Sequence, residues 1–244
     1  MKSDSAPDGA NGVVMKISIM LPAYNEKGNA EELARRLRST MRKLKIKFEI
    51  VYIIQGNDGT YESLAKLKKQ ILEMRLFHYP QPLGAGGAFK EGFSKINDKF
   101  DYVLTMDADL NHHPEEFVRF LEALKKTNCD IIIGSRKVQG GENDLPFVKQ
   151  LVSNFTNFLL PKIFMLPAKD ITSGYRLFKM KVVKTVREEI TSRNFEVYAE
   201  LLIRARRHGF TMTEVPITYT RRQTGKSKFN LFRSGMGYLK LLFS

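Results

Sequence analysis

The chain has 244 residues, 43% of them hydrophobic, enough to bury a sizeable core in one large domain or two small ones. Forty Lys and Arg against 26 Asp and Glu leave a formal charge of +14, which predicts an anionic partner: nucleic acid, membrane lipid or a phosphorylated substrate. Cys129 is the single cysteine, which excludes an intramolecular disulfide, and no run of about 18 apolar residues predicts a transmembrane helix.

Residues 1–13 are rich in Ser, Asp, Gly, Ala and Pro, lack an apolar core segment, and read as a disordered leader rather than a signal peptide. Val14 to Leu21 reads as the first strand, stopped at Pro22, with Ala23 to Glu26 as a loop. Asn29 to Leu44 carries Leu33, Leu37, Met41 and Leu44 at helical spacing. Phe48 to Ile54 is a second strand, Gln55 to Thr60 a turn, Glu62 to Leu72 a helix, and Arg75 to Tyr79 a third strand. Gly84-Ala85-Gly86-Gly87 opens a helix that runs through Ile96. An apolar strand from Tyr102 ends in Asp107-Ala108-Asp109, and Pro114 starts a helix to about Lys126. Asp130 to Arg136 is a strand with a basic end, and Phe147 to Phe164 reads as an apolar helix. Asp170 to Phe178 is a loop leading into a strand, and Glu196 to His208 is helical. Thr213 to Tyr219 is a strand whose Pro216 argues an edge or a strand end. This alternation predicts an α/β fold with a mostly parallel, doubly wound sheet flanked by helices. No internal repeat or low-complexity linker divides it, so one domain over residues 14–228 is expected.

Asp107 and Asp109 sit where open α/β sheets bind their ligands, at the carboxyl end of a strand. At i and i+2 of a strand their side chains point the same way, and they repel unless a cation or proton lies between them. Oxygen ligands of this kind suit Mg²⁺ or Mn²⁺. The competing reading is a strand ending in solvated turn acids. Gly84-x-Gly86 before a helix, with Asp107 downstream, also suggests a dinucleotide fingerprint. The third glycine position is Phe89, and Pro80 and Pro82 disfavour the tight strand–turn–helix geometry. The glycines are better read as places where backbone approaches a ligand or a neighbouring strand. His112 and His113 read as helix-entry residues ahead of Pro114, and Glu200 as an i,i+4 partner of Arg204.

An ordered set of motifs runs along the chain. Leu21-Pro22-Ala23-Tyr24-Asn25-Glu26 ends the first strand and Asp58-Gly59-Thr60 follows the second. Gly84 to Gly92, Asp107-Ala108-Asp109, Gly134-Ser135-Arg136 and Asp170 to Arg176 come next, then Glu214-Val215-Pro216-Ile217 and Arg222-x-x-Gly225-x-Ser227-Lys228. The set resembles the family 2 glycosyltransferases of Rossmann-like GT-A fold, and within them the dolichol-phosphate mannose synthase group.

The resemblance implies transfer of a sugar from a nucleotide-sugar (GDP-mannose or a UDP-sugar) to a polyprenyl or dolichyl phosphate, with inversion. It implies that Pro22, Tyr24, Glu26, Gln55, Asp58 and Ala108 lie against the donor, and that Asp107, Asp109 and Asn111 hold Mg²⁺ or Mn²⁺. Arg136, Lys149 and Ser153 would face the acceptor phosphate, and Arg222 and Lys228 would close over the donor diphosphate. Two positions depart from the family pattern. Its usual Asp-Asp pair is replaced by Ile53 and Ile54, followed by Gln55-Gly56-Asn57, which leaves guanine and uracil both open. Lys149 stands where the family tends to have Arg, so it offers a point charge without bidentate geometry.

An acceptor phosphate is already anionic at neutral pH and needs positioning more than deprotonation. A lipid acceptor also requires a membrane surface, reached from the cytoplasmic face as a peripheral protein. Phe229, Phe232, Met236, Leu239 and Phe243 share one stripe of a possible amphipathic helix over residues 229–244, which either lies in the membrane interface or docks on the core. Phe155, Phe158, Leu159 and Phe164 offer a second apolar surface. Nucleic acid is not expected as a partner, because the aromatic and basic residues do not interleave as a stacking platform would. A soluble or polysaccharide acceptor, and a relative that binds nucleotide-sugar without turnover, stay open.

Overall fold

The computed structural model describes residues 14–221 and 237–242. In chain order the elements are β1 (Lys16–Tyr24), α1 (Asn29–Lys43), β2 (Lys47–Gln55), α2 (Thr60–Lys68), β3 (Met74–Tyr79), α3 (Gly84–Lys95) and β4 (Tyr102–Thr105). A 3-10 turn at Pro114–Glu116 leads into α4 (Phe117–Thr127), followed by β5 (Ile131–Ser135), β6 (Glu142–Asn143), α5 (Phe147–Ile163) and β7 (Arg176–Lys179). Then come α6 (Met180–Val186), α7 (Val197–Arg207), β8 (Met212–Pro216) and β9 (Thr218–Tyr219). Residues 237–241 are helical.

Every residue of β2 after Lys47 is buried, as a parallel strand covered on both faces requires. The seven-stranded sheet has the order β3-β2-β1-β4-β7-β5-β8, and β6 and β9 form a separate small pair. All pairings in the large sheet are parallel except those of β7, which runs antiparallel between β4 and β5. One face is covered by α1, α2 and α4, the other by α3, α6 and α7, giving three layers with two apolar cores. In α1 the periodic Leu33, Leu37 and Met41 are the buried stripe, and the basic residues lie off it.

The chain builds β1, β2 and β3 in one direction, then returns to place β4 on the other side of β1. That reversal leaves a crevice at the carboxyl ends of β1 and β4, where no crossover covers the sheet. Asp107 follows β4 into this crevice.

Three expectations need correction. β1 does not stop at Pro22 but runs to Tyr24, paired with β2 throughout; β4 has already ended opposite Met20, so the missing N–H of Pro22 falls where one flank is open. β4 ends at Thr105, so Asp107 and Asp109 lie in the turn beyond it, and strand alternation does not set the direction of their side chains. The helix expected from Pro114 begins as a 3-10 turn. Pro216 does close an edge strand.

Candidate active site

A cavity of about 1150 Å³ occupies the switch point. Pro22, Tyr24, Glu26 and Gln55 line one end, Asp107, Ala108 and Asp109 the middle, and Arg136, Ser153 and Thr172 the other end. Residues carried by six segments of the chain therefore share one space.

Asp107 is fixed by two neighbours. Tyr198, on α7, donates its hydroxyl to Asp107 Oδ1 at 2.6 Å. Burial pushes the Tyr198 phenol well above its ordinary pKa, and the charge of Asp107 adds to that shift, so the group stays a donor. Gly174 lies so close that a Cβ there would stand 3.0 Å from Asp107 Oδ1. Asp109 accepts from the Asn111 backbone N–H at 3.2 Å and from Asn111 Nδ2 at 2.7 Å. Leu110 between them adopts φ 62°, a left-handed conformation that folds the turn back on itself. Asn111 Oδ1 is buried and without a hydrogen-bond partner. Asn111 does not line the cavity and turns its Nδ2, not Oδ1, to Asp109, so the expected third ligand is not brought to the carboxylates; the oxygen donors that line the cavity here are Asp107 and Asp109, a pair that fits Mg²⁺ or Mn²⁺. Among the described residues no group of three His, Cys, Asp or Glu side chains forms a metal cluster, so an ion held here would draw its other ligands from water or substrate oxygens.

Arg136 at the end of β5 is buried, and its Nε and Nη2 reach the two oxygens of Asp170, each at 2.7 Å. Burial pushes the Asp170 carboxyl up, but the charge and hydrogen bonds of Arg136 outweigh it and hold the group well below the usual carboxylate range. Nη2 also donates to Thr172 Oγ1, which lies 2.9 Å from Ser153 Oγ. Arg136 sits 5.2 Å over the ring of Tyr219. Among the described residues its Nη1 makes no hydrogen bond, and the residue lines the cavity. Asp170 thus holds the guanidinium rigidly at the cavity wall.

Gly84, Gly86 and Gly87 of α3 line the cavity, and the neighbour that Gly84 and Gly86 approach is a loop, not a strand. A Cβ on Gly86 would stand 1.9 Å from the Ser192 carbonyl oxygen, and the Gly86 N–H donates to the Arg193 carbonyl at 3.0 Å. Residues 190–195 form a wall of the cavity. Glu200 holds that wall, accepting from Thr191 N and Oγ1 at 3.0 and 2.7 Å and from Ser192 N at 3.0 Å. Its contact with Arg204 is longer, 3.5 Å, so the expected helix pair is the lesser role.

Asp58 does not line the cavity: it accepts from Thr60 N and Lys27 N and ties the start of α2 to the loop after β1. His112, expected as a helix-entry residue, lines the cavity instead, with both ring nitrogens buried and unpartnered. Desolvation lowers its pKa to about 4 and keeps it neutral. Sequence reasoning missed Tyr198, Thr172 and Tyr219 as cavity residues. Arg222 and Lys228 lie outside the described residues, as do the leader 1–13, residues 229–236 and the side chain of Lys149. Of the expected C-terminal stripe only Leu239 is described, and it is exposed. Leu241 joins the core, and Tyr238 lines the cavity.

Residues 18–187 match the family model described as glycosyl transferase family 2. The chain is 33% identical over 220 residues to a dolichol-phosphate mannosyltransferase of Pyrococcus furiosus, covering 88% of this chain and 59% of that protein. It is 30% identical over 220 residues to an undecaprenyl-phosphate mannosyltransferase of Micrococcus luteus, covering 88% of each chain. A solved structure of glucosyl-3-phosphoglycerate synthase from Mycobacterium tuberculosis, with Mg²⁺ and UDP, superposes with a TM-score of 0.63 at 19% identity, over 93% of this chain and 77% of that one. At that identity the likeness shows the shared GT-A-like fold alone.

Proposed function

The chain belongs to glycosyl transferase family 2, and from that premise we propose that it moves a hexose, mannose first among the candidates, from a nucleotide-sugar to a polyprenyl phosphate. The observation that carries this reading is the joint presence, in one cavity, of the Asp107–Asp109 turn and the Asp170-bound guanidinium of Arg136. Two phosphate-bearing substrates need two such centres. The named activities of the P. furiosus and M. luteus relatives support the same acceptor class.

In this reading the nucleoside lies against Pro22, Tyr24, Glu26 and Gln55, and its diphosphate reaches the Asp107–Asp109 turn. Asp107 and Asp109 are the groups that would hold Mg²⁺ or Mn²⁺, which supplies positive charge for the leaving diphosphate when bound. Arg136 aligns the acceptor phosphate through Nη1, with Ser153 Oγ and Thr172 Oγ1 beside it. An acceptor oxygen forms the new bond to the anomeric carbon while the bond to the nucleoside diphosphate breaks, with inversion. The nucleophile arrives as an anion, so no side chain has to take a proton. Arg222 and Lys228 would add positive charge at the leaving group.

The acceptor's lipid chain would enter past α5. One side of this helix turns Val152, Ser153 and Thr156 into the cavity, while Leu151, Phe155 and Phe158 are each more than 60% exposed. No helix among the described residues is long and apolar enough to cross a membrane. A peripheral seat on an anionic leaflet suits that surface and the +14 charge.

The test is transfer from radiolabelled GDP-mannose and UDP-sugars, with Mn²⁺ or Mg²⁺, to a short-chain polyprenyl phosphate. A labelled lipid product supports the reading. Transfer to free sugars but not to polyprenyl phosphate would move the acceptor to the soluble class. Donor binding without transfer to any acceptor would make the chain a non-catalytic relative.

A further inference from the structure

Tyr219 touches both charged centres of the cavity. It lies in β9, whose backbone is held from two sides. On one side it pairs with β6, the segment that follows Arg136, and the Asp144 N–H donates to the Tyr219 carbonyl at 3.0 Å. On the other it bridges His112, and the Thr220 N–H donates to the Asn111 carbonyl at 3.0 Å. The side chain lines the cavity and repeats the same division. Its hydroxyl oxygen accepts from Asn111 Nδ2 at 2.5 Å, and its ring lies 5.2 Å from the Arg136 guanidinium carbon. Asn111 Nδ2 donates its other hydrogen to Asp109 Oδ2 at 2.7 Å. An ionised carboxylate only accepts, so the orientation of the amide is fixed and both of its N–H groups are spent. Burial, with the charges of Asp109 and Asp107, pushes the Tyr219 phenol above its ordinary pKa and keeps it neutral.

We propose that Tyr219 is a positioning residue that sets the separation of the two phosphate centres: its hydroxyl holds the Asp109 turn through Asn111, and its ring holds the guanidinium of Arg136. This rests on the transfer reading proposed above. In-line displacement needs the acceptor oxygen and the leaving diphosphate on opposite sides of one carbon, and a misplacement of about 1 Å costs on the order of a hundredfold in rate. The two halves of the side chain act at different ends. A cation over an aromatic face is held by the ring alone. Phenylalanine therefore keeps Arg136 in place, together with the edge-on contact to His112 at 5.2 Å. Only the hydroxyl reaches Asn111. Its loss leaves each substrate its own binding groups but loosens their alignment.

The experiment compares Tyr219→Phe, which removes the hydroxyl and keeps the ring, with Tyr219→Leu, which removes both. GDP and UDP are titrated calorimetrically into the full chain in Mn²⁺, and a short-chain polyprenyl phosphate without metal. Tyr219→Phe weakens the Mn²⁺-dependent binding of the preferred nucleotide about three- to tenfold, less than the loss of a group bonded directly to a metal-binding carboxylate. It leaves the affinity for polyprenyl phosphate within about twofold of wild type, whereas Tyr219→Leu weakens that affinity at least about threefold. In the transfer assay Tyr219→Phe lowers kcat at least about tenfold with the acceptor KM within about twofold. Asn111→Ala reproduces the nucleotide loss, and adding Tyr219→Phe to it lowers binding no further, because both act through one contact. Unchanged nucleotide binding and kcat in Tyr219→Phe overturn the proposal, even if Tyr219→Leu fails to fold. Equal loss of polyprenyl phosphate binding in the two Tyr219 variants overturns it too, as do additive losses in the double variant. A wild type that binds neither nucleotide nor polyprenyl phosphate overturns the transfer reading itself, and this proposal with it.

Discussion

The Tyr198 hydroxyl lies 2.6 Å from Asp107 Oδ1 and joins α7 to the turn after β4. Groups that orient a metal-binding carboxylate typically change metal affinity or activity 10–100-fold when removed. Tyr198→Phe keeps the ring, which packs edge-on against Phe89 at 5.4 Å, so the core is little disturbed. The expected outcome is a 10–100-fold loss of transfer rate at low Mn²⁺, partly restored as Mn²⁺ is raised, with Tm lowered by only a few degrees. Activity measured across an Mn²⁺ series checks it. A rate that falls equally at every Mn²⁺ concentration contradicts the assigned role.

Gly174 is a steric counterpart of that hydrogen bond. A methyl group at this position would stand 3.0–3.2 Å from the atoms of the Asp107 carboxylate, tighter than ordinary contacts. Gly174→Ala therefore displaces Asp107 while leaving every hydrogen-bonding group in place. We expect at least a tenfold fall in activity with a native circular-dichroism spectrum. Asp107→Asn and Asp109→Asn go further and abolish metal-dependent transfer, because each removes a charge from the set that would hold the ion. Wild-type rates in either Asn variant would remove the metal assignment.

Arg136 and Asp170 are both buried and joined through two parallel hydrogen bonds. Asp170→Asn leaves a buried guanidinium without its charge partner, a change that costs about 3–5 kcal/mol at neutral pH. The sign of the pH dependence follows from the lowered pKa of Asp170 in the folded state. A carboxylate with a depressed folded pKa contributes stability that is fully present above its unfolded value, about 3.9. That contribution is lost as pH falls from there through the folded value. The stability gap between wild type and Asp170→Asn is therefore constant above about pH 5 and narrows below about pH 4. Urea denaturation at pH 7, 5 and 3.5 measures it; a gap that widens on acidification contradicts the assignment.

What the sequence disclosed and what it hid follow from the range of the interactions involved. Strand positions were legible because parallel strands covered on both faces are apolar along nearly their whole length, as Phe48 to Ile54 are apart from Glu49. The cavity's acids, Asp107 and Asp109, were legible because polar residues ending an apolar strand are locally conspicuous. Tyr198 was not, since a tyrosine among Val197, Leu201 and Leu202 looks like core until α7 packs beside β4. Glu200 was assigned to Arg204 because helix spacing makes i,i+4 pairs visible, whereas its stronger partners, Thr191 and Ser192, belong to a loop that folds back onto α7. The antiparallel insertion of β7 was equally hidden. No local pattern states a strand's direction, which here is set by the long return through Asp170 and Gly174.

The outer face of α5 yields the remaining prediction. Phe155 and Phe158 are 66% and 63% exposed, yet they belong to the helix that turns Ser153 toward the cavity. Lys162 sits over the Phe158 ring at 3.7 Å, putting a cation at the edge of the apolar surface, where an anionic headgroup would meet it. Inserting two phenylalanines into an interface is worth about 1.5–3 kcal/mol for each one fully buried. Replacing both with aspartate removes that gain and adds charge repulsion from an anionic leaflet. Because neither ring is part of the core, the fold and the cavity should be retained. The double variant Phe155→Asp/Phe158→Asp is expected to lose at least tenfold in sedimentation with vesicles rich in anionic phospholipid. Its rate on a detergent-free, short-chain polyprenyl phosphate should stay within about threefold of wild type. Unchanged vesicle binding would move the membrane contact to another surface of the protein. A matching loss on the short soluble acceptor would instead assign α5 to the phosphate end of the site.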